Sequence, residues 1–151
     1  MSVNQIYTEN RKAFFNYEIL EKLEAGIELL GFEVKAVKNG QASLDSAYVA
    51  IRGGEAFLIG AQIAPYQPSN TPKEYEPART RKLLLTKKEI AALLGFEQKK
   101  GLTIVPLSLY NKGGRVKVAV AVVRGKKKFD KRAVIKKRET DREIDRAMKE
   151  R

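Results

Sequence analysis

The densest chemistry in this sequence is cationic. Gly125 to Arg132 reads GKKKFDKR, in which Lys126, Lys127, Lys128, Lys131 and Arg132 surround one aromatic, Phe129, and one carboxylate, Asp130. So close a set of cations calls for phosphate. A ring flanked by lysines has the makeup of a base-stacking contact held by phosphates on either side. Asp130 would be wasted against a plain phosphate sheet, but it can accept from a base, a 2′-hydroxyl or a neighbouring arginine. Lys136, Lys137 and Arg138 continue the run. A second cluster, ARTRK from Ala78 to Lys82, opens a predicted strand. Alternation puts Arg79 and Arg81 on one side of it, at a spacing that suits adjacent phosphates, with Lys82 beside them. A third, Asn10-Arg11-Lys12, lies in the polar N-terminal stretch.

Other chemistries fall away by composition. The chain has no His and no Cys, so a thiolate nucleophile, a disulfide, a Cys/His zinc site and a His general base are excluded. Catalysis would rest on carboxylates, Lys, Tyr or Ser. A phosphate loop ending at Gly125 would need glycine where Val120 stands, and neither G-x-S-x-G nor G-x-G-x-x-G occurs. Glu24 and Glu33 would be an acid/base pair only if the fold joined them; nothing in the sequence does, and both read as solvent-facing. The expectation is a binding protein with no cofactor and no metal.

Thirty Lys and Arg against 18 Asp and Glu leave +12, which asks for an anionic partner. From Arg124 onward there are 13 basic and 6 acidic residues, more than half of that excess in the last 28 positions. No apolar run approaches the roughly 18 residues of a membrane span, and MSVNQIYTENRK has no secretory apolar core, so a soluble cytoplasmic protein is expected. A membrane-peripheral role is the weaker rival, because the tail after Arg138 alternates acids with bases and lacks an apolar face.

The elements that must carry these clusters can be read in order. Residues 1–13 look loose. Tyr17 to Leu30 begins as a strand, and Leu30, Val34 and Val37 at i, i+4, i+7 predict a short helix stopped by Gly40. Ala47 to Ala64 is a hairpin around Gly53-Gly54, and Tyr66 to Pro77 a long loop. RKLLL from Arg81 is a strand; Thr86 to Glu89 is a capping box opening a helix to Gly95. LTIVPLSLY and GRVKVAVAVVRG flank NKGG as the clearest hairpin, with Val116, Val118, Val120 and Val122 on one face and a bulge expected at Pro106. The sum is mainly β with two short helices: one OB-fold-like antiparallel barrel over 14–124, closed or nearly so, and a basic tail over 125–151. Like charges at Lys136, Lys137 and Arg138 predict a tail disordered alone and helical once a polyanion screens it. A basic barrel with an aromatic-basic tail suits structured RNA read by shape, sugar and phosphate. A general RNA-binding or ribosome-associated protein would look similar.

NRKA…Y from Asn10, EAGIELLGFEVKAVKNG, DSAYV, PARTRKLLL, LSLY, GRVKV and GKKKFDKR stand in the order found in the SsrA-binding protein family, also called small protein B, which this chain resembles from about Asn10 to Arg132. The resemblance implies an OB-type barrel that is not an enzyme and binds the tRNA-like domain of transfer-messenger RNA, monomeric on the RNA. It implies delivery of that RNA to stalled ribosomes for trans-translation, with the C-terminal tail entering the empty mRNA channel beside the decoding centre as a helix. Carried over by motif, Asn10, Arg11, Lys12, Glu24, Leu84 and Lys117 would face the tRNA-like domain, with Arg79, Arg81 and Lys82 as phosphate contacts. Gly125, Lys126, Lys127, Asp130, Lys131 and Arg132 match the ribosome-facing motif. Leu84, read from its apolar run alone, belongs to the core. Two departures stand out. Phe14-Phe15-Asn16 replaces more basic and polar residues, and Phe129 stands where Tyr or His is common, which leaves stacking as its role.

Overall fold

The computed structural model describes residues 5–125. The tail from Lys126 onward, with the contacts expected of it, lies outside the described residues. Strands β1 (Ile6–Glu9), β2 (Tyr17–Ile27), β3 (Ala42–Ser43), β4 (Tyr48–Arg52), β5 (Glu55–Ile59), β6 (Gln62–Ile63), β7 (Arg81–Leu84), β8 (Leu102–Lys112) and β9 (Arg115–Gly125) are joined by helices α1 (Arg11–Asn16), α2 (Gly31–Lys38) and α3 (Lys87–Glu97). Seven strands form one sheet in the order β1-β8-β9-β2-β7-β5-β4, antiparallel at every pairing, and β3 pairs with β6 apart from it.

Both hairpins form where the glycine pairs put them. Gly53 and Gly54 have φ of 59° and 75°, and Gly113 and Gly114 59° and 79°, the left-handed pair that a two-residue hairpin turn needs. Val116, Val118, Val120 and Val122 enter the main core with Ile104, Leu109, Leu58 and Ile63. The opposite face of β9 is not free. Ala121 and Val123 bury with Val105, Leu107 and Ala13 in a smaller second core beneath α1. The register of β8 against β9 slips between Pro106 and Ser108, the expected bulge, and Val105, Pro106 and Leu107 are buried in succession there.

Three expectations need correction. Among the described residues there are three α-helices rather than two. The short α1 escapes periodicity because Ala13 is its only buried residue. The segment 1–13, expected to be loose, contains β1 and the start of α1. The sheet is also open: β4 lies against β8, yet no ladder joins them. The end of α3 occupies part of that edge instead. Glu97 Oε2 accepts the Ile51 amide at 2.8 Å, and Oε1 accepts from Arg52 Nη1 at 2.8 Å. The helix itself starts as read, with Thr86 and Glu89 capping reciprocally.

Candidate nucleic-acid interface

Strand pairing builds one row of side chains across four strands. Gly26 of β2 stands opposite Leu84 of β7 on one side and Lys117 of β9 on the other, and Lys117 in turn faces Tyr110 of β8. Directly opposed residues share a face, so the row presents leucine, a bare backbone, lysine and tyrosine in succession. Leu84 is 50 % exposed, whereas its neighbour Leu83 is buried, so the expected core position is corrected to a surface one. Leu84 leans over Gly26: a Cβ there would stand 3.1 Å from the Leu84 Cβ. Beside it lies an open groove of about 270 Å³, walled by Ile27, Val34, Arg115 and Lys117.

Glu24, two residues earlier on the same face, is held in place. It accepts a hydrogen bond from the Tyr110 hydroxyl, and Lys112 Nζ reaches its two oxygens at 3.1 and 3.2 Å. The tyrosine bond, then the Lys112 bond, hold its carboxyl below the usual range against a smaller opposing effect of burial, with Lys112 and Lys117 adding charge attraction. The arrangement is a fixed acceptor between cations and beside an exposed apolar side chain. It can take a hydrogen bond from a sugar hydroxyl or base amine while the cations hold phosphate. Tyr110, Lys112 and Arg115 were not singled out in the sequence, though the alternation of β8 and β9 puts Tyr110 and Lys117 on one face once the NKGG turn fixes the register.

The ARTRK cluster comes out otherwise. Arg81 is fully buried. Its Nη2 lies 2.5 Å from Glu33 Oε2 and 3.0 Å from the Tyr75 hydroxyl and donates to the Pro77 carbonyl, while Nη1 donates to the carbonyls of Ala61 and Arg79. Arg79 pairs with the other Glu33 oxygen. Phosphate contact by Arg81 is therefore ruled out, and Glu33 is no solvent-facing carboxylate. Burial pushes the Glu33 carboxyl up, but the Arg79 bond, the Leu30 amide and Arg81 outweigh it and bring it to about 2. Burial and then Glu33 raise Tyr75 to about 12. The network ties the loop before β7 to the start of α2. Arg79 keeps partial exposure, and Lys82 reaches Glu55 at 3.0 Å from the surface.

Asn10 is also spent on structure. Its amide nitrogen donates to the Pro106 carbonyl at 2.9 Å, its backbone amide donates to Leu107 at 2.7 Å, and its side-chain oxygen caps α1 at Ala13. These bonds satisfy carbonyls that the bulge frees from the ladder. At 4 % exposure Asn10 is an anchor rather than an RNA contact, while the adjacent Arg11 and Lys12 are exposed. Gly125 ends β9 opposite Tyr17, so the tail leaves from the far end of the β2/β9 ladder.

Comparison with known proteins agrees in every direction. The family model described as "SmpB protein" matches residues 7–150. The SsrA-binding protein of Microcystis aeruginosa is 50 % identical over 145 residues, covering 96 % of this chain and 94 % of that one. That of Clostridium acetobutylicum is 49 % identical over 146 residues, covering 97 % and 94 %. A solved structure described as "tmRNA-SmpB: a journey to the center of the bacterial ribosome" superposes with a TM-score of 0.67 at 44 % identity, over 80 % of this chain and 85 % of that chain. With a family match that spans all but the chain's ends, and the motif row standing on one sheet face, this chain belongs to the SmpB family.

Proposed function

We propose that this protein binds the tRNA-like domain of transfer-messenger RNA and delivers that RNA to stalled ribosomes for trans-translation. The observation that carries the reading is the row Leu84–Gly26–Lys117–Tyr110, with Glu24 fixed beside it, in a chain 50 % identical to an SsrA-binding protein. Leu84, Glu24 and Lys117 contact the tRNA-like domain, and Arg11, Lys12 and Lys82 supply phosphate contacts around them. The curled sheet is an open version of the OB-type frame. The tail motif, Gly125 to Arg132 with Lys136, Lys137 and Arg138, engages the ribosome, where Phe129 stacks. The protein works as a cytoplasmic monomer and as a binder without catalysis. Among the described residues no group of side chains fits a metal ion and no helix is long and apolar enough to cross a membrane.

The test is binding to the isolated tRNA-like domain against a size-matched tRNA across a salt series. Contacts to phosphate alone lose affinity with a slope of about −0.7 to −0.9 per phosphate, whatever the sequence. A preference for the tRNA-like domain that persists at raised salt supports the reading. Equal affinity for both RNAs reduces the protein to a charge-driven binder.

A further inference from the structure

Glu24 and the side chains that hold it stand on strands that are not neighbours. Glu24 belongs to β2, Tyr110 and Lys112 belong to β8, and β9 lies between. Two strand spacings amount to about 10 Å. The tie closes over that distance because tyrosine is long and the positions between are small. Across the sheet Glu24 faces Ala119, and Ala119 faces Ser108. Further along the same face Tyr110 pairs with Lys117, and Lys112 with Arg115. From there Tyr110 and Lys112 both lean back over β9 to one carboxylate. The backbone ladders on either side of β9 run past this point without its help. An exposed ion pair of this kind adds little stability, so the fold itself gives the tie no purpose.

The purpose is legible in the lone pairs that the carboxylate has left. A carboxylate offers about four acceptor positions, two on each oxygen. The Tyr110 hydroxyl takes one on Oε2, and Lys112 Nζ lies astride both oxygens at 3.1 and 3.2 Å. One position remains, on Oε1. An edge with two adjacent donors, such as that of guanine, needs both oxygens and finds them engaged. A single hydroxyl or amine fits, and the surrounding charge chooses between the two. Lys112 and Lys117 flank Glu24 on this face, Lys112 is exposed, and among the described residues Lys117 has no ion pair. Cations that hold successive phosphates set a ribose between them, because sugar and phosphate alternate along the strand. The donor a ribose offers there is its 2′-hydroxyl. Burial and then Glu24 push the ionisation of the Tyr110 hydroxyl up, so it stays a donor.

We infer that Tyr110 is a positioning residue that, with Lys112, fixes Glu24 as the acceptor for one ribose 2′-hydroxyl, so that this face tells RNA from DNA at a single sugar. The inference rests on the proposed function for the identity of the RNA. The test titrates the full chain, Y110F, E24A and the double variant against the tRNA-like domain. Parallel titrations use copies with single 2′-deoxy substitutions at the riboses that the protein shields from hydroxyl-radical cleavage. For wild type, one substitution should cost about tenfold in affinity, the scale of one hydrogen bond to a charged group. Y110F keeps the ring and should keep the melting temperature. It should bind the all-ribose RNA about fivefold more weakly and shrink the deoxy penalty to about twofold. E24A should be blind to the substitution, and adding Y110F to it should cost nothing further, since Tyr110 acts only through Glu24. A tyrosine with a merely structural role would weaken ribose and deoxy RNAs alike.

Three results overturn the inference: full deoxy sensitivity in Y110F, a double variant weaker than E24A, or a wild type indifferent to every deoxy substitution. Sensitivity to the loss of a base amine in place of a 2′-hydroxyl would move the hydrogen bond to a base and overturn it too. Failure of the wild-type chain to prefer the tRNA-like domain over tRNA would count against the proposed function instead. The ribose penalty would then be read on deoxy-substituted tRNA with the same variants.

Discussion

At the scale of single residues, exposure separates side chains that are open to a partner from those that hold the fold. Leu84 is half in water, so covering its free half on RNA is worth about 1 kcal/mol. Leu84→Ala should therefore weaken binding to the tRNA-like domain about fivefold with an unchanged melting temperature, read by titration and by thermal denaturation. Arg81 and Glu33 are the opposite case. Glu33→Gln leaves Arg81 buried without its full counter-charge, and breaking such a pair costs about 3–5 kcal/mol. The pH dependence follows from the depressed carboxyl. Unfolded, Glu33 ionises near 4.3; folded, it does so at about 2. Its contribution is complete above the unfolded value and is lost as pH falls towards 2. Urea midpoints should show wild type losing its advantage over Glu33→Gln between about pH 4 and pH 2. A constant gap across that window would mean the carboxylate charge is not what the network needs. The burial of Arg81 was legible in part, since it shares strand phase with Leu83 and so points where Leu83 points. Its partner was not, because Glu33 lies 48 positions away on a helix whose facing the sequence does not settle.

At the scale of elements, the row across β7, β2, β9 and β8 leaves room for Leu84 because one position, Gly26, has no side chain. Gly26→Ala puts a methyl 3.1 Å from the Leu84 Cβ and 3.3 Å from its Cδ1. Leu84 must then swing away, and binding to the tRNA-like domain should fall by at least as much as for Leu84→Ala. Stability should change by less than about 1 kcal/mol, since the displaced group is already at the surface. Binding equal to wild type would show that Leu84 finds the RNA from more than one rotamer. The two glycine-turn hairpins were plain in the sequence, since the valines of β9, the glycine pairs and the apolar slip at Pro106 all have local causes, whereas β1 was not. The helix α1 was not, because what holds it is the pairing of Asn10 with carbonyls of a bulge 96 residues away.

At the scale of the whole molecule, charge and fold divide the labour. The last 28 residues carry more than half of the net +12, while the Leu84 row belongs to the sheet. A chain ending at Gly125 should keep the melting temperature of the sheet domain and its preference for the tRNA-like domain at raised salt. Its affinity for ribosomes should collapse, with a shallower salt slope. Loss of the preference on truncation would move specificity into the tail. The open sheet was the least legible feature at this scale. Strand count and order suggested a closed or nearly closed barrel, yet no ladder joins β4 to β8, and the end of α3 stands at β4.

That meeting has a consequence for the protein among its own copies. An unclosed sheet ends in strands whose free amides and carbonyls invite a foreign strand to add on. On β4 the Glu97 carboxylate already occupies the Ile51 amide and holds Arg52 across the rim, so a visiting backbone finds that place taken. Glu97→Ala should leave RNA recognition intact and make concentrated protein self-associate, seen as a growing hydrodynamic radius in light scattering. On that expectation, one glutamate at a helix end guards the open edge of the sheet against a second copy of the chain.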